Sequence, residues 1–215
     1  MMRRRQTAPA AGHAVGPLQA RAQRSLLTVA KQFGDVASDA APEVGSGLSV
    51  DVTAAGGDGG DALRLSYGKG DFIFSRVYDL TISGTAQWPS RALCGPAAGD
   101  GDSRIALPLE LSFARDGSRL VPSTGAASAD SAAAAGRSAQ RLNRRLQPLL
   151  REVDLKSLSI TDAGDGLCRI DLVPLGGAYV WILVPPVSMT VRFPPGEPAR
   201  LLHIMSTIRA VLRGS

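Results

Sequence analysis

The sequence predicts an α+β protein: an antiparallel sheet with helices on one face. Three observations predict it. Short segments alternate apolar and polar residues with a period of two, as strands with one buried face do. Three longer segments carry apolar residues at helical spacing. The order of a helix followed by several strands occurs twice, which gives an antiparallel sheet with its helices gathered on one side.

Residues 1–17 are basic and lack the apolar core of a secretion signal, so they read as a disordered arm. The first helix is expected over residues 18–37, where Leu26, Ala30, Phe33 and Ala37 share one face and Gly34 weakens the end. Leu48–Val52 and Leu63–Tyr67 alternate and form a hairpin across the turn segment AAGGDGGDA. Gly68-Lys69-Gly70 reads as the next turn, with Phe72-Ile73-Phe74 and Val77–Ile82 as further strand material. After a loop around Trp88 and Cys94, Ile105–Phe113 reads as a strand, turned by Asp116-Gly117 into Arg119-Leu120-Val121.

Residues 122–137 are low in complexity and read as a linker or surface loop, although their Ala tract could begin the next helix early. In that helix Leu142, Leu146, Leu149 or Leu150, and Val153 form the apolar stripe, and Pro148 predicts a kink or two short helices. Two strands follow, Leu158–Ile160 and Cys168–Leu172, joined by DAGDG.

The run GGAYVWILVPPVSMTVRF, residues 176–193, is too short to span a bilayer and is broken by Pro185-Pro186. It reads as two adjacent strands that fill the core, the first central in the sheet, with a ligand pocket lined by the run as the alternative. The last helix begins near Pro198 and buries Leu201, Met205, Ile208 and Leu212. The two halves, 18–121 and 138–215, echo each other: Leu48 and Leu158 stand 110 residues apart, Leu80-Thr81-Ile82 and Met189-Thr190-Val191 109 apart. A duplicated helix-plus-four-strand unit would produce that spacing.

Composition narrows the function classes. Of 215 residues, 44% are hydrophobic and 20% charged, enough for a core and unlike a disordered chain. Aromatics make up only 5%, which argues against a stacking surface for single-stranded nucleic acid. Two cysteines, Cys94 and Cys168, make no disulfide framework and no metal spacing; two free thiols in a reducing cytoplasm are expected. His13 and His203 have no partner pattern for a metal, and no nucleophile elbow, phosphate loop or CxxC occurs. GGDGGDA joins two strands rather than opening a helix, and AGDGD and DAGDG lack the oxygen ligands of a calcium loop. No catalytic residue, metal or cofactor is therefore expected.

The net charge of +5 is unevenly placed. Arg21 and Arg24 on the first helix, with Arg141, Arg144, Arg145 and Arg151 on the second, could form one positive face. Such a charge run is most often a solvated surface; among binding roles an acidic protein partner comes first and nucleic-acid phosphate or anionic lipid second, and the same surface could join two copies. The alternative is a small-molecule or catalytic cavity between sheet and helices, holding Tyr67, Arg76, Tyr78 and Asp79. A strand with Val77 and Tyr78 on opposite faces is the preferred account of the last three.

The segments Leu142-Asn143, Val153-Asp154-Leu155, PLGGAYV, PPVSMTVRF and PGEPARLL, over the last 75 residues or so, resemble an uncharacterised bacterial family. The resemblance implies a bacterial cytoplasmic protein and leaves mechanism open, with the basic arm as an extension outside the family pattern. A non-catalytic binding or adaptor protein is the reading that these observations favour.

Overall fold

The computed structural model describes residues 16–36, 41–42, 48–54, 62–87, 109–113, 119–122 and 129–213. The arm before residue 16, Ala37, Trp88, Cys94 and the turns GGDGG, AGDGD and Asp116-Gly117 lie outside these residues.

Helix α1 (Pro17–Ala30) starts with Pro17 in its first turn, where a missing N–H costs nothing. It ends earlier than its stripe predicts. The chain turns at Lys31–Phe33 into the short strand β1 (Gly34–Val36), while Leu26, Ala30 and Phe33 are all buried. Strands β2 (Ala41–Pro42), β3 (Leu48–Ala54), β4 (Ala62–Asp71) and β5 (Ser75–Gln87) follow. The β4–β5 turn is not Gly68-Lys69-Gly70, which continues β4, but Phe72-Ile73-Phe74. Apolar, β-prone residues mimic a strand in composition whether they fill a core or cap a hairpin.

Strands β6 (Leu109–Phe113) and β7 (Leu120–Pro122) lead to α2 (Ala129–Leu150). The Ala tract is helical from Ala129, inside the stretch read as linker, and Pro148 sits in the last turn of one continuous helix. Strands β8 (Leu155–Gly164), β9 (Leu167–Pro174), β10 (Tyr179–Ile182) and β11 (Val187–Thr190) precede α3 (Glu197–Arg213).

Every strand pairing is antiparallel, in the order β1-β3-β4-β5-β9-β8-β6-β7. β5 of the first half pairs with β9 of the second through Ile82–Gln87, so one sheet runs through both. The opposite end of β5, Ser75–Tyr78, pairs instead with β10, and β11 adds to the far side of β10. β10 is thus internal, as its composition predicts. The β3–β4 hairpin comes after α1 and the β8–β9 hairpin after α2, while β5 and β11, matched in sequence, have different neighbours.

Register explains the single core. Val50 faces Leu65, Leu65 faces Ile82, Ile82 faces Leu172 and Leu172 faces Leu158, all buried on one face. Against it lie α1 over β3 and β4, α3 over β5, and α2 over β6 and β7. The α3 stripe Leu201, Met205, Ile208 and Leu212 is buried, and so are Leu142, Leu146 and Leu150 of α2. The Asn143 amide closes the β7 edge, accepting from Leu120 N–H at 2.8 Å and donating to Leu120 O at 2.7 Å. Glu197, at the start of α3, is 1% exposed; its Oε1 accepts the Asp154 N–H at 3.0 Å, and burial raises its carboxyl pKa.

Gly84 sets how closely α3 approaches the sheet. A Cβ there would stand 2.8 Å from Arg209 Nη2 and 3.2 Å from both Leu63 Cδ2 and Met205 Sδ. The buried Arg209 guanidinium meanwhile donates from Nε to Thr85 O at 3.0 Å. Gly84→Val should therefore lower the urea midpoint by the equivalent of about 1–3 kcal/mol. Gly68→Ala, at an exposed glycine with no atom within 4 Å of its would-be Cβ, should stay within about 0.5 kcal/mol of wild type. Equal midpoints for the two variants would refute this account of the α3 contact.

Candidate functional site

Between α1 and the segment Ser188–Phe193 lies an open groove of about 800 Å³. It exists because α1 packs on β3 and β4 while β11 continues the sheet beyond β10. Arg21 and Arg24 line it from α1 and Arg192 from the strand side; all three are exposed, and among the described residues no Asp or Glu lines the groove. Val29, Met189 and Phe193 supply its apolar surface.

A one-way chain of hydroxyls fastens its floor. Tyr67 OH donates to Gly177 O at 2.7 Å. A phenol has one proton, so the 3.0 Å contact with Ser25 Oγ must be donated by Ser25. Ser25 in turn must accept from Thr190 Oγ1 at 2.7 Å. The order Thr190→Ser25→Tyr67→Gly177 thus ties β11, α1, β4 and the turn before β10 together. Gly177 has φ +77°, and a Cβ on it would meet Leu80 Cδ2 at 2.6 Å, so glycine is required where this carbonyl is presented.

The chain's three tyrosines meet here. Tyr67 and Tyr78 have ring centroids 6.1 Å apart, Tyr78 and Tyr179 5.8 Å, at tilts favoured by aromatic pairs. Burial pushes the Tyr67 phenol up to about 12, opposed by the Ser25 hydrogen bond and aided by Tyr179. Tyr179 lines the groove and is 4% exposed, and its buried hydroxyl has no hydrogen-bond partner among the described residues. Such a hydroxyl costs about 1–3 kcal/mol until something bonds it.

The expected site residues fall in several places. Arg21 and Arg24 line the groove, whereas Arg141, Arg144, Arg145 and Arg151 belong to α2 or the turn after it, at the other end of the sheet with α3 between. The helices therefore do not combine into one positive face around the groove. Tyr67 and Tyr78 pack together in the core. Asp79 projects from the opposite face, where Lys156 Nζ holds it at 2.7 Å, and Arg76 pairs with Asp71 at 3.0 Å. Thr28 and Gln32 join the groove without a sequence signal, whereas Thr190 and Arg192 come from the run 176–193, for which a pocket lining was the alternative to core.

The helix-free face of the sheet is polar. Its most connected group is Ser83, which donates to Asp171 Oδ1 at 2.6 Å and accepts from Arg169 Nη2 at 3.0 Å. The carboxylate also holds Arg169 Nε at 2.8 Å, so the serine's proton is committed within a closed structural triad. Among the described residues no cluster of three potential metal ligands occurs, and no helix is long and apolar enough to cross a membrane. Cys168 is free and buried.

A family model matches residues 40–212. The chain belongs to the family described as protein of unknown function, DUF3156. The match reaches well beyond the C-terminal segments that suggested it and begins after α1, so one wall of the groove lies outside the matched span. No curated protein and no solved structure matches the chain.

The hydroxyl chain has a measurable consequence. The folded Tyr67 phenol, at about 12, stays protonated where an unfolded one, near 10, ionises. Its contribution to stability is full below pH 10 and is lost as pH rises from 10 towards 12. Tyr67→Phe should cost about 1–2 kcal/mol at pH 8. Its Tm should also fall less than that of wild type between pH 8 and pH 11, as read by circular dichroism. Parallel losses in the two proteins would contradict the assignment.

Proposed function

We propose that this member of DUF3156 is a binding protein, and that its groove holds an extended acidic segment of a partner protein. The observation that carries the reading is the groove's make-up: among the described residues, three arginines and no carboxylate, with a sheet edge along one side. β11 pairs with β10 alone among the described strands. Val191 turns its N–H towards Ala178 O at 2.7 Å and its carbonyl towards Gly177 N–H at 2.7 Å. Antiparallel strands alternate the direction of these groups, so the N–H and C=O of Thr190 face the open side. A strand laid there gains main-chain hydrogen bonds, the mode by which edge strands take up peptides. Arg21, Arg24 and Arg192 select carboxylates on it, and Met189 and Phe193 receive apolar side chains.

Peptide display on the full chain tests the reading. Selected peptides should be extended and rich in Asp and Glu. Arg21→Glu combined with Arg192→Glu should weaken a selected peptide at least tenfold, about 1.4 kcal/mol, with Tm unchanged. Methylating alternate backbone nitrogens of that peptide should abolish binding. Selection of neutral or basic peptides, or indifference to charge reversal, would overturn the acidic ligand. Indifference to N-methylation would overturn strand addition.

A further inference from the structure

The β4–β5 and β10–β11 turns stand side by side and present bare apolar side chains at one end of the sheet. Phe72 is 64% exposed, Ile73 88%, Phe74 65%, Leu183 47% and Val184 72%. The two turns are one unit: Leu183 N–H donates to Phe74 O at 2.8 Å, and Ile182 is in register with Ser75. A contiguous apolar surface of this kind on a water-facing end marks a docking site.

Three features say what it meets. First, the side chains cap projecting turns. A convex tip opposed to its own copy about a two-fold axis makes poor contact, whereas a fluid apolar phase accommodates any shape. Second, the two turns are braced within the protein, with Phe72 N–H to Ser75 O at 2.8 Å besides the Leu183 bond, which lessens the backbone polarity that meets an apolar phase. Third, cations and an indole follow behind the apolar residues. Asp71 is shared by Lys69 at 2.7 Å and Arg76 at 3.0 Å, which leaves one positive charge over, and the half-buried Trp181 lies opposite Arg76. Apolar residues in front, with Trp, Lys and Arg behind, match the layering of a bilayer interface.

We propose that these paired tips, Phe72-Ile73-Phe74 with Leu183-Val184, dock the protein on an anionic phospholipid bilayer, the apolar side chains entering the acyl boundary and Lys69 and Arg76 meeting headgroup phosphates. The site is separate from the peptide groove and does not rest on it.

Co-sedimentation of the full chain with vesicles of phosphatidylcholine, and of phosphatidylcholine with 30% phosphatidylglycerol, tests the proposal. Wild type should pellet with the anionic vesicles and much less with the neutral ones. Ile73→Ser with Phe74→Ser should reduce partitioning roughly tenfold or more, because each side chain loses its apolar transfer. Val184→Ser, on the other turn, should reduce it by less. All three positions are exposed, so Tm should hold. Failure of wild type to pellet, full binding by the double variant, or equal binding to neutral vesicles would each overturn the proposal. So would a wild-type dimer in gel filtration that the double variant abolishes, since the tips would then meet a second copy. No peptide enters this assay, so its failure leaves the groove reading standing.

Discussion

Strand β5 is longer than any one neighbour on its second side can cover, and the architecture follows from that mismatch. Of its thirteen residues, Arg76–Gly84 pair with β4 on one side; on the other, β9 takes the far end and leaves the near end bare. β10 fills that place, and β11 comes with it. Unpaired backbone in a sheet interior is costly, so the chain after β9 has to return and complete β5. Completing it carries a new edge outward, past the ladder that β8 and β9 continue. Without that excursion α1 would have no strand segment facing it across an open channel.

Charge and apolar surface are then partitioned by position along one hairpin. From Leu183 to Val187 the chain presents apolar side chains at an end of the sheet; from Ser188 to Phe193 it lines the groove beside Arg21 and Arg24. Ser25 and Thr190 hold α1 to this hairpin, and the segments that follow each meet in the edge-on contact of Phe33 with Phe193, at 5.6 Å between centroids. The matched family span contains the whole hairpin but not α1. The tip is thus built within that span, whereas the groove needs residues that precede it.

Much of the sheet was legible because period-two alternation reports burial directly. LSVDV, LRLSY and CRIDL each bury the residues that alternation selects. The α3 stripe was equally readable, since Leu201, Met205, Ile208 and Leu212 have no competing assignment. Alternation is silent on which strand lies beside which, so nothing in YVWI announced that β10 would pair with the start of β5. For the same reason Tyr67 and Tyr179, 112 positions apart in the chain, gave no sign of meeting near the groove (179 − 67). Phe72-Ile73-Phe74 failed differently. Its composition reads as strand, yet the structure makes it an exposed turn. Arg21 and Arg24 were picked out by charge alone; their separation from the α2 arginines depends on α3 lying between the helices, a tertiary fact.

Because Tyr67, Tyr78 and Tyr179 are all the tyrosines the chain has, and all pack in one place, its tyrosine optics report on one place too. Near-ultraviolet dichroism from phenol rings needs fixed surroundings and vanishes when packing loosens. In most proteins that signal averages over scattered rings. Here its phenol part, beside the indole part from the two tryptophans, comes from the junction of α1, β4, β5 and β10. A ligand that reached the Tyr179 hydroxyl would announce itself in the unmodified protein, with no label and no engineered probe.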